Sequence, residues 1–559
     1  TSDLVSSFVM PVTWLWILLL SSLAAHLNGF VPMAATKNRI PNDHHHRPLT
    51  ASSSSSAAAA SSPPSGETGT SDIKVFISDA YDGGNINFLG CYLLGDDDSN
   101  NSKHLLVKLN IKPDPFTELE QTKHFQYFSF RSTIVFPRTL SSSSYRVTYS
   151  IENAGAASYA MAWPDSTVFY SSTLHNPDSW NRKLDTQFVP NPPNVGGGTL
   201  TWTHEHQHNK NREGDSQQQQ QQPGQQMSSS SVYFSYFPPF TYAQHLTLIE
   251  QCAQCTRVEP LGQSLDGRDI ECVIVGSGPK VVWIIHRQHP GEHMAEYYAQ
   301  GLLTRLLGLD NDNHSVDGLV HRILEMYTFY IVPSMNPDGG VRGYLRTNAA
   351  GANLNREWAD NSYVVRDDDT AENTSGTRTV PYEAPTLHRS PEVACVLAKM
   401  DQVGDCHVFL DVHGDEGLPF NFLAISVVPN WQPHRQALHG AFAAAYCRAN
   451  PDMQTQYGYP AVLYNPNRNT LNKATNQMGY RFAHSNCLAM TLEMPFKDCQ
   501  SNPDPERGWN PARSRELGAS VLDALHYLYP YLQDDEAFKS LPPQDAFVTP
   551  NFRYKSEGT

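Results

Sequence analysis

One stretch constrains the fold more than any other. Val281-Val282-Trp283-Ile284-Ile285 is a short, unbroken apolar run of the kind that forms a buried strand. Within a few residues comes His289-Pro290-Gly291-Glu292, where an imidazole and a carboxylate three residues apart can close on one metal ion. Further apolar strand candidates lie at residues 328–333, 407–412, 421–428 and 487–493. Helical stretches lie at 292–307, 391–402, 433–448 and 513–531. This alternation predicts an α/β domain, a mixed and mostly parallel sheet with helices on both faces. In such sheets, sites form beyond the carboxyl ends of the strands.

At 559 residues the chain is too long for a single core. Upstream of the alternating region, short runs rich in Val, Ile, Phe, Tyr and Thr are separated by turn residues. Examples are Leu105-Leu106-Val107-Lys108-Leu109 and Tyr145-Arg146-Val147-Thr148-Tyr149. They predict a small β-sandwich. The expected organisation is a leader and Ser/Ala/Pro linker over 1–72, the sandwich over 73–204, and a disordered Gln/Ser-rich insertion over 205–231. The α/β domain then spans 232–535 and a tail 536–559. The aromatic stretch from Tyr233 to Tyr242 reads as a core strand joining the two domains.

A third metal ligand is offered by His413, in Asp411-Val412-His413-Gly414, again where an apolar strand ends. Two imidazoles and a carboxylate match the donor set of catalytic zinc, which leaves a position for water. Asp411, two residues earlier, could orient His413. Glu493, in Thr491-Leu492-Glu493-Met494-Pro495-Phe496, puts a carboxylate at the end of an apolar strand. That placement is costly unless the group is paired or used, and it suits a general base. Asn355 and Arg356 pair an amide with a guanidinium fork, as a substrate carboxylate requires. Arg346 could stabilise a tetrahedral oxyanion. Taken singly, each of these residues is as readily structural; only their combination points to a hydrolytic metal site.

In order, the motifs His289-Pro290-Gly291-Glu292, Asn336-Pro337-Asp338-Gly339, Asn353-Leu354-Asn355-Arg356, Asp411-Val412-His413-Gly414 and Thr491 to Phe496 resemble those of the zinc metallocarboxypeptidases. The form is that of the cytosolic carboxypeptidase subfamily, whose members carry a β-sandwich before the catalytic domain. The resemblance implies one zinc ion at His289, Glu292 and His413, with Glu493 as general base. It also implies Arg346 at the scissile carbonyl, and Asn355 with Arg356 at the terminal carboxylate of a peptide or protein tail. Two departures stand out. Asn353 replaces the usual aspartate at a position that is not a ligand, and the family's mobile tyrosine has no clear counterpart, Tyr464 and Tyr480 being candidates. Glutamate release, as in members that trim tubulin tails, would need a basic residue in the pocket, and Lys473 and Arg481 lie in that region. Two rival readings are a zinc-dependent deacylase of small N-acyl amino acids and an inactive peptide-binding module.

The formal net charge of −16, with no strongly basic block, gives no support to a nucleic-acid surface. The nine cysteines lack regular spacing and read mostly as buried thiols. Residues 4–25 are uncharged and include an apolar run from Val12 to Leu20, which predicts a signal peptide. Phe30 after it, in an acid-poor stretch, resembles bipartite plastid-targeting leaders. The secretory pathway or the plastid is therefore the expected destination, or the cytoplasm if the apolar segment is not a working leader. No stable membrane span is expected after leader removal, and a monomer is expected. Residues 360–385, with Asp367-Asp368-Asp369, read as an exposed acidic loop near the site.

Overall fold

The computed structural model describes residues 74–542, apart from 98–101, 119, 121, 137–143, 193–195, 208–227, 360–383, 427, 429–432, 460–470 and 535. The leader, most of the Gln/Ser-rich insertion, most of the acidic loop and most of the tail therefore lie outside the described residues.

Among the described residues, the amino-terminal half is built from two five-stranded sheets. In chain order its strands are β1 (Lys74–Ser78), β2 (Asn87–Asp97), β3 (Ser102–Asn110), β4 (Ser129–Phe136) and β5 (Ser144–Ile151). They continue with β6 (Val168–Ser171), β7 (Asn181–Lys183), β8 (Gln187–Pro190), β9 (Gly198–Gln207) and β10 (Ser228–Ser235). One sheet runs β1-β4-β10-β6-β7 and the other β2-β3-β5-β9-β8. Pairing is antiparallel except between β3 and β5. Alternate residues of both sheets point inward and meet as rings. Tyr149 of one sheet meets Phe234 of the other at 4.7 Å between centroids, and Phe130 meets Tyr149 at 5.9 Å. Such rings bury large apolar areas with defined geometry, which is what a thin two-sheet core needs.

The sequence predicts that the sandwich ends at residue 204 and that a disordered insertion runs through Ser231. The structure differs. β9 continues to Gln207, and Ser228–Ser231 begin β10, the middle strand of its sheet. Serines have little intrinsic strand preference; here the ladder to β4 on one side and β6 on the other decides, and Ser231 Oγ meets Thr133 Oγ1 at 2.7 Å.

The carboxy-terminal half holds a seven-stranded mixed sheet. Its strands are β11 (Arg257–Gln263), β12 (Asp269–Gly276), β13 (Lys280–His286), β14 (Tyr327–Val332), β15 (Val408–Asp415), β16 (Phe422–Ile425) and β17 (Leu488–Pro495). The order is β11-β12-β14-β13-β15-β17-β16. The centre, β14-β13-β15-β17, is parallel; the strands at both edges are antiparallel. The helices are α1 (Tyr242–Cys255), α2 (Met294–Leu307), α3 (Gly318–Met326), α4 (Pro337–Arg342), α5 (Pro391–Val403), α6 (Pro433–Ala449), α7 (Ala474–Arg481) and α8 (Pro511–Leu528). Two separate clusters of buried apolar side chains include residues of these strands. Trp283, Ile285 and Phe409 lie in one; Val282, Ile284 and Leu410 lie in the other. That alternation explains why β13 reads as unbroken apolar text: both faces are covered. The expected α/β fold with a parallel centre is the one observed. The sequence reading gives no sign of β11, β12, α1, α3, α4 or α7.

The segment joining the halves is aromatic for a reason. Tyr236 stacks on Phe496 at 4.8 Å, and Phe237 meets the same ring edge-on at 6.1 Å. Thr241 then starts α1 with a capping box to Gln244. No helix among the described residues is long and apolar enough to cross a membrane.

Candidate active site

The parallel strands deliver three side chains to one place. β13 ends at His286, and the chain bends sharply through Arg287, whose φ of 55° is uncommon for a residue with a side chain. Buried bonds hold the bend. Arg287 Nε donates to the Pro290 carbonyl at 2.8 Å, and its guanidinium pairs with Glu296. Asn336 Nδ2 donates to the Gln288 carbonyl at 3.0 Å, and Gly291 N–H donates to the Leu345 carbonyl at 3.0 Å. A Cβ at Gly291 would meet that carbonyl oxygen at 2.9 Å, so the close approach requires glycine. The turn presents His289 and Glu292 just before α2 begins. His413 comes from β15, in register with Glu493 on the neighbouring β17.

His289, Glu292 and His413 form a buried group whose ligand atoms lie within 4.8 Å of one another. His289 Nδ1 is 2.7 Å from Glu292 Oε1, His413 Nδ1 is 2.9 Å from Glu292 Oε2, and the two Nδ1 atoms are 3.2 Å apart. The far side of each imidazole is engaged. His289 Nε2 lies 3.1 Å from Asn353 Oδ1, and His413 Nε2 lies 2.9 Å from Asp411 Oδ2. Both partners can accept an Nε2–H, so with both rings neutral the two Nδ1 atoms offer their lone pairs side by side, next to a carboxylate. That donor set fits a divalent cation, and zinc in particular by ligand type. Burial, helped by Arg346, brings the His289 imidazole down to about 4. Burial also opposes charge on His413, but Asp411 and Glu292 outweigh it and hold that ring well above its usual value. Glu292 is itself buried, yet the two imidazoles hold its carboxyl well below the usual range.

These residues open onto a cavity of about 400 Å³, also lined by Glu493, Arg346, Asn355, Arg356 and Lys473. Burial pushes the Glu493 carboxyl up to about 8; His413 opposes this and Glu292 and Asp415 reinforce it. The Tyr459 hydroxyl lies 2.7 Å from Glu493 Oε1 and 3.1 Å from Asp415 Oδ2. Asp415 and Glu416 line the same cavity, and burial raises both carboxyls. The acids around the cavity therefore carry less charge at neutral pH than their number suggests. Asn355 Oδ1 accepts from Ala474 N–H at 3.0 Å, and its Nδ2 sits 3.3 Å from His413 Nε2. Arg356 Nη1 donates to the Asn355 carbonyl at 2.7 Å.

His289, Glu292, His413, Glu493, Arg346, Asn355 and Arg356 thus border one cavity. The sequence reading missed Tyr459, Tyr159 and Glu416 as lining residues. It also treated Asn353 as inconsequential, whereas that side chain faces a ligand imidazole. Lys473, not Arg481, lines the cavity; Arg481 pairs with Asp401 at the other end of α7. Of the tyrosines proposed as mobile, Tyr480 is 43% exposed and does not line the cavity, and Tyr464 lies outside the described residues.

Donors of this kind, set at the carboxyl end of a parallel sheet beside a buried carboxylate, put the protein in the class of metallohydrolases. Comparison with known proteins narrows the class. Residues 242–511 match the model of the zinc carboxypeptidases, and residues 77–213 match that of the cytosolic carboxypeptidase N-terminal domain. The chain is 31% identical to a metallo-carboxypeptidase from Pseudomonas aeruginosa solved with (2-guanidinoethylmercapto)succinic acid. That match covers 82% of this chain and 100% of the other, with a TM-score of 0.60. It is also 31% identical to a metallo-carboxypeptidase from Burkholderia cenocepacia, covering 81% and 99%, with a TM-score of 0.62. Mouse cytosolic carboxypeptidase 6 is 24% identical over 278 residues, 47% of this chain and 45% of that protein. The chain belongs to the zinc carboxypeptidase family and is a metallocarboxypeptidase, an enzyme class that acts on peptide C-termini.

The same comparisons correct the expected destination. The amino-terminal half matches a domain of cytosolic carboxypeptidases, and human and mouse relatives bear the cytosolic name. A secretory or plastid route is not supported. It rested on the uncharged residues 4–25, on Phe30 and on the acid-poor stretch after it, and these report a segment's composition, not its fate.

Proposed function

We propose that the chain releases single residues from the C-termini of peptides or protein tails, with acidic terminal residues, glutamate above all, as preferred products. His289, Glu292 and His413 would hold the zinc ion, which when bound lowers the pKa of a water ligand and polarises a carbonyl. Glu493 takes a proton from the attacking water and passes it to the leaving amine. Burial raises the Glu493 carboxyl above the usual carboxylate range, which strengthens it as a proton acceptor for this step. Arg346 stabilises the charge that develops on the carbonyl oxygen. Asn355 and Arg356 receive the terminal carboxylate, which fixes cleavage at the last peptide bond.

One observation carries the substrate reading: three cations, Arg346, Arg356 and Lys473, line a cavity that also holds the buried base. Carbonyl and carboxylate account for the two arginines. Lys473 lines the same cavity as Thr475, Ala424 and Ile425, and an ammonium there favours a terminal side chain that carries a carboxylate.

The test is mass spectrometry of a peptide library incubated with the purified, zinc-loaded chain. The expected result is shortening by one residue, fastest for peptides ending in glutamate. Release of Leu or Phe but never Glu would sink the substrate preference. Equal shortening by wild type and Glu493→Gln would sink the assigned base.

A further inference from the structure

The catalytic arginine is held from the other half of the molecule. Arg346 lies in a loop of the α/β half, between α4 and the Leu354–Arg356 turn. Asp114, in the loop between β3 and β4, is buried against that loop. Its Oδ1 accepts from Leu345 N–H at 2.8 Å, and its Oδ2 accepts from Arg346 N–H at 2.8 Å and Thr347 N–H at 2.9 Å. The Thr347 hydroxyl donates to the same oxygen at 3.1 Å. One carboxylate thus fixes the backbone of three successive residues.

The side chain is fixed as well. Arg346 Nη1 donates to the Tyr159 hydroxyl at 2.9 Å, and Tyr159 lines the cavity. Tyr159 is itself clamped. Its N–H donates to Gln126 Oε1 at 2.8 Å, and its carbonyl accepts from Gln126 Nε2 at 3.3 Å. Gln126 is fully buried and also donates to the Tyr236 hydroxyl at 3.2 Å. A guanidinium on a flexible stem loses rate if it must search for its position during reaction, and a fixed partner removes that search.

We infer that the sandwich half completes the active site, with Tyr159 as a positioning residue that holds the Arg346 guanidinium where the carbonyl oxygen develops charge, and Asp114 doing the same for the arginine's backbone. The inference rests on the role of Arg346 given above. A positioning residue acts on the transition state through its partner, so its loss should appear in kcat and leave ground-state binding largely intact.

The experiment uses the full zinc-loaded chain and the library peptide it shortens fastest. Tyr159→Phe removes the hydroxyl and keeps the ring. Loss of one hydrogen bond to a charged group should lower kcat about tenfold or more, with KM within about twofold and the melting temperature unchanged. In an Arg346→Gln background the same substitution should cost nothing further. Wild-type kcat in Tyr159→Phe, or an equal loss with and without Arg346, would overturn the inference. Wild-type kcat in Arg346→Gln alone would instead remove the role of Arg346, and the inference with it. If Tyr159→Phe lowers the melting temperature and kcat recovers fully on cooling below it, the effect is folding and the inference fails.

Discussion

The two halves spend their interiors differently. The sandwich buries rings: Phe128, Phe130, Tyr149, Trp202 and Phe234 are each 1% exposed or less. The α/β half buries charge. Besides the metal group, its interior holds an Arg287–Glu296 pair, with His245 set between Glu296 at 3.2 Å and Glu271 at 3.1 Å. Burial opposes charge on His245, but the two carboxylates raise its imidazole to about 9. Ring packing is short-ranged and tolerant of surroundings, whereas buried charges must be paired in detail. The ring core of the sandwich is therefore built for stability, and the surroundings of the cavity, Tyr159 included, for placement. Substitutions should separate the two: in the ring core they should cost folding energy and spare turnover, and around the cavity the reverse.

The sharpest case is Glu493→Gln. Loss of a general base should lower kcat by about a thousandfold or more without lowering the melting temperature, since no buried charge is left unpaired. Initial rates and a calorimetric scan on one preparation check both. Trp202→Ala is its mirror. Removing this ring from the aromatic cluster should cost about 3–5 kcal/mol of stability in denaturant titrations. Well below the transition, kcat on a library peptide should match wild type. A large kcat loss in that variant would break the comparison.

A third test works through pH. Glu392 on α5 is fully buried, outside the cavity, and burial raises its carboxyl from 4.5 to about 7. The folded state therefore binds a proton that the unfolded state has released across that interval. Stability falls as pH rises from about 4.5 through about 7, by roughly 3 kcal/mol at 1.36 kcal/mol per unit. Glu392→Gln should not show this loss, so its stability relative to wild type should improve by that amount across the range. A constant difference would refute it. The smallest effect concerns selectivity. Lys473→Met should lower kcat/KM for peptides ending in glutamate about tenfold, or ~1.4 kcal/mol, with little change for those ending in leucine. Equal losses on both would remove Lys473 from the side-chain pocket.

What the sequence disclosed follows from the range of each interaction. His289, Glu292, His413 and Glu493 were legible because strand ends mark the rim of a parallel sheet, and apolar runs mark strand ends. Asp114 and Tyr159 were not, since they meet Arg346 across separations of 232 and 187 residues, and no local pattern encodes such a meeting. Lys473 and Arg481 were indistinguishable because both flank one short helix; only packing turns one end to the cavity and the other to Asp401. β11 was hidden by Pro260 and by charge at Arg257 and Glu259, which an edge strand with a register shift tolerates. Asn353 looked incidental because its partner imidazole lies 64 residues away.

The central position of β10 has a consequence for how the molecule can be divided. The segment recognisable as the amino-terminal domain stops at residue 213, before β10 begins at Ser228. A half-protein cut there would leave β4 and β6 facing each other across a missing strand, each with an unpaired edge. During synthesis the same sheet stays in two pieces until Ser235 has emerged, just before the aromatic segment that docks on Phe496. The two halves are thus consecutive in sequence but not separable in manufacture: the strand that finishes the first is the step that starts the second.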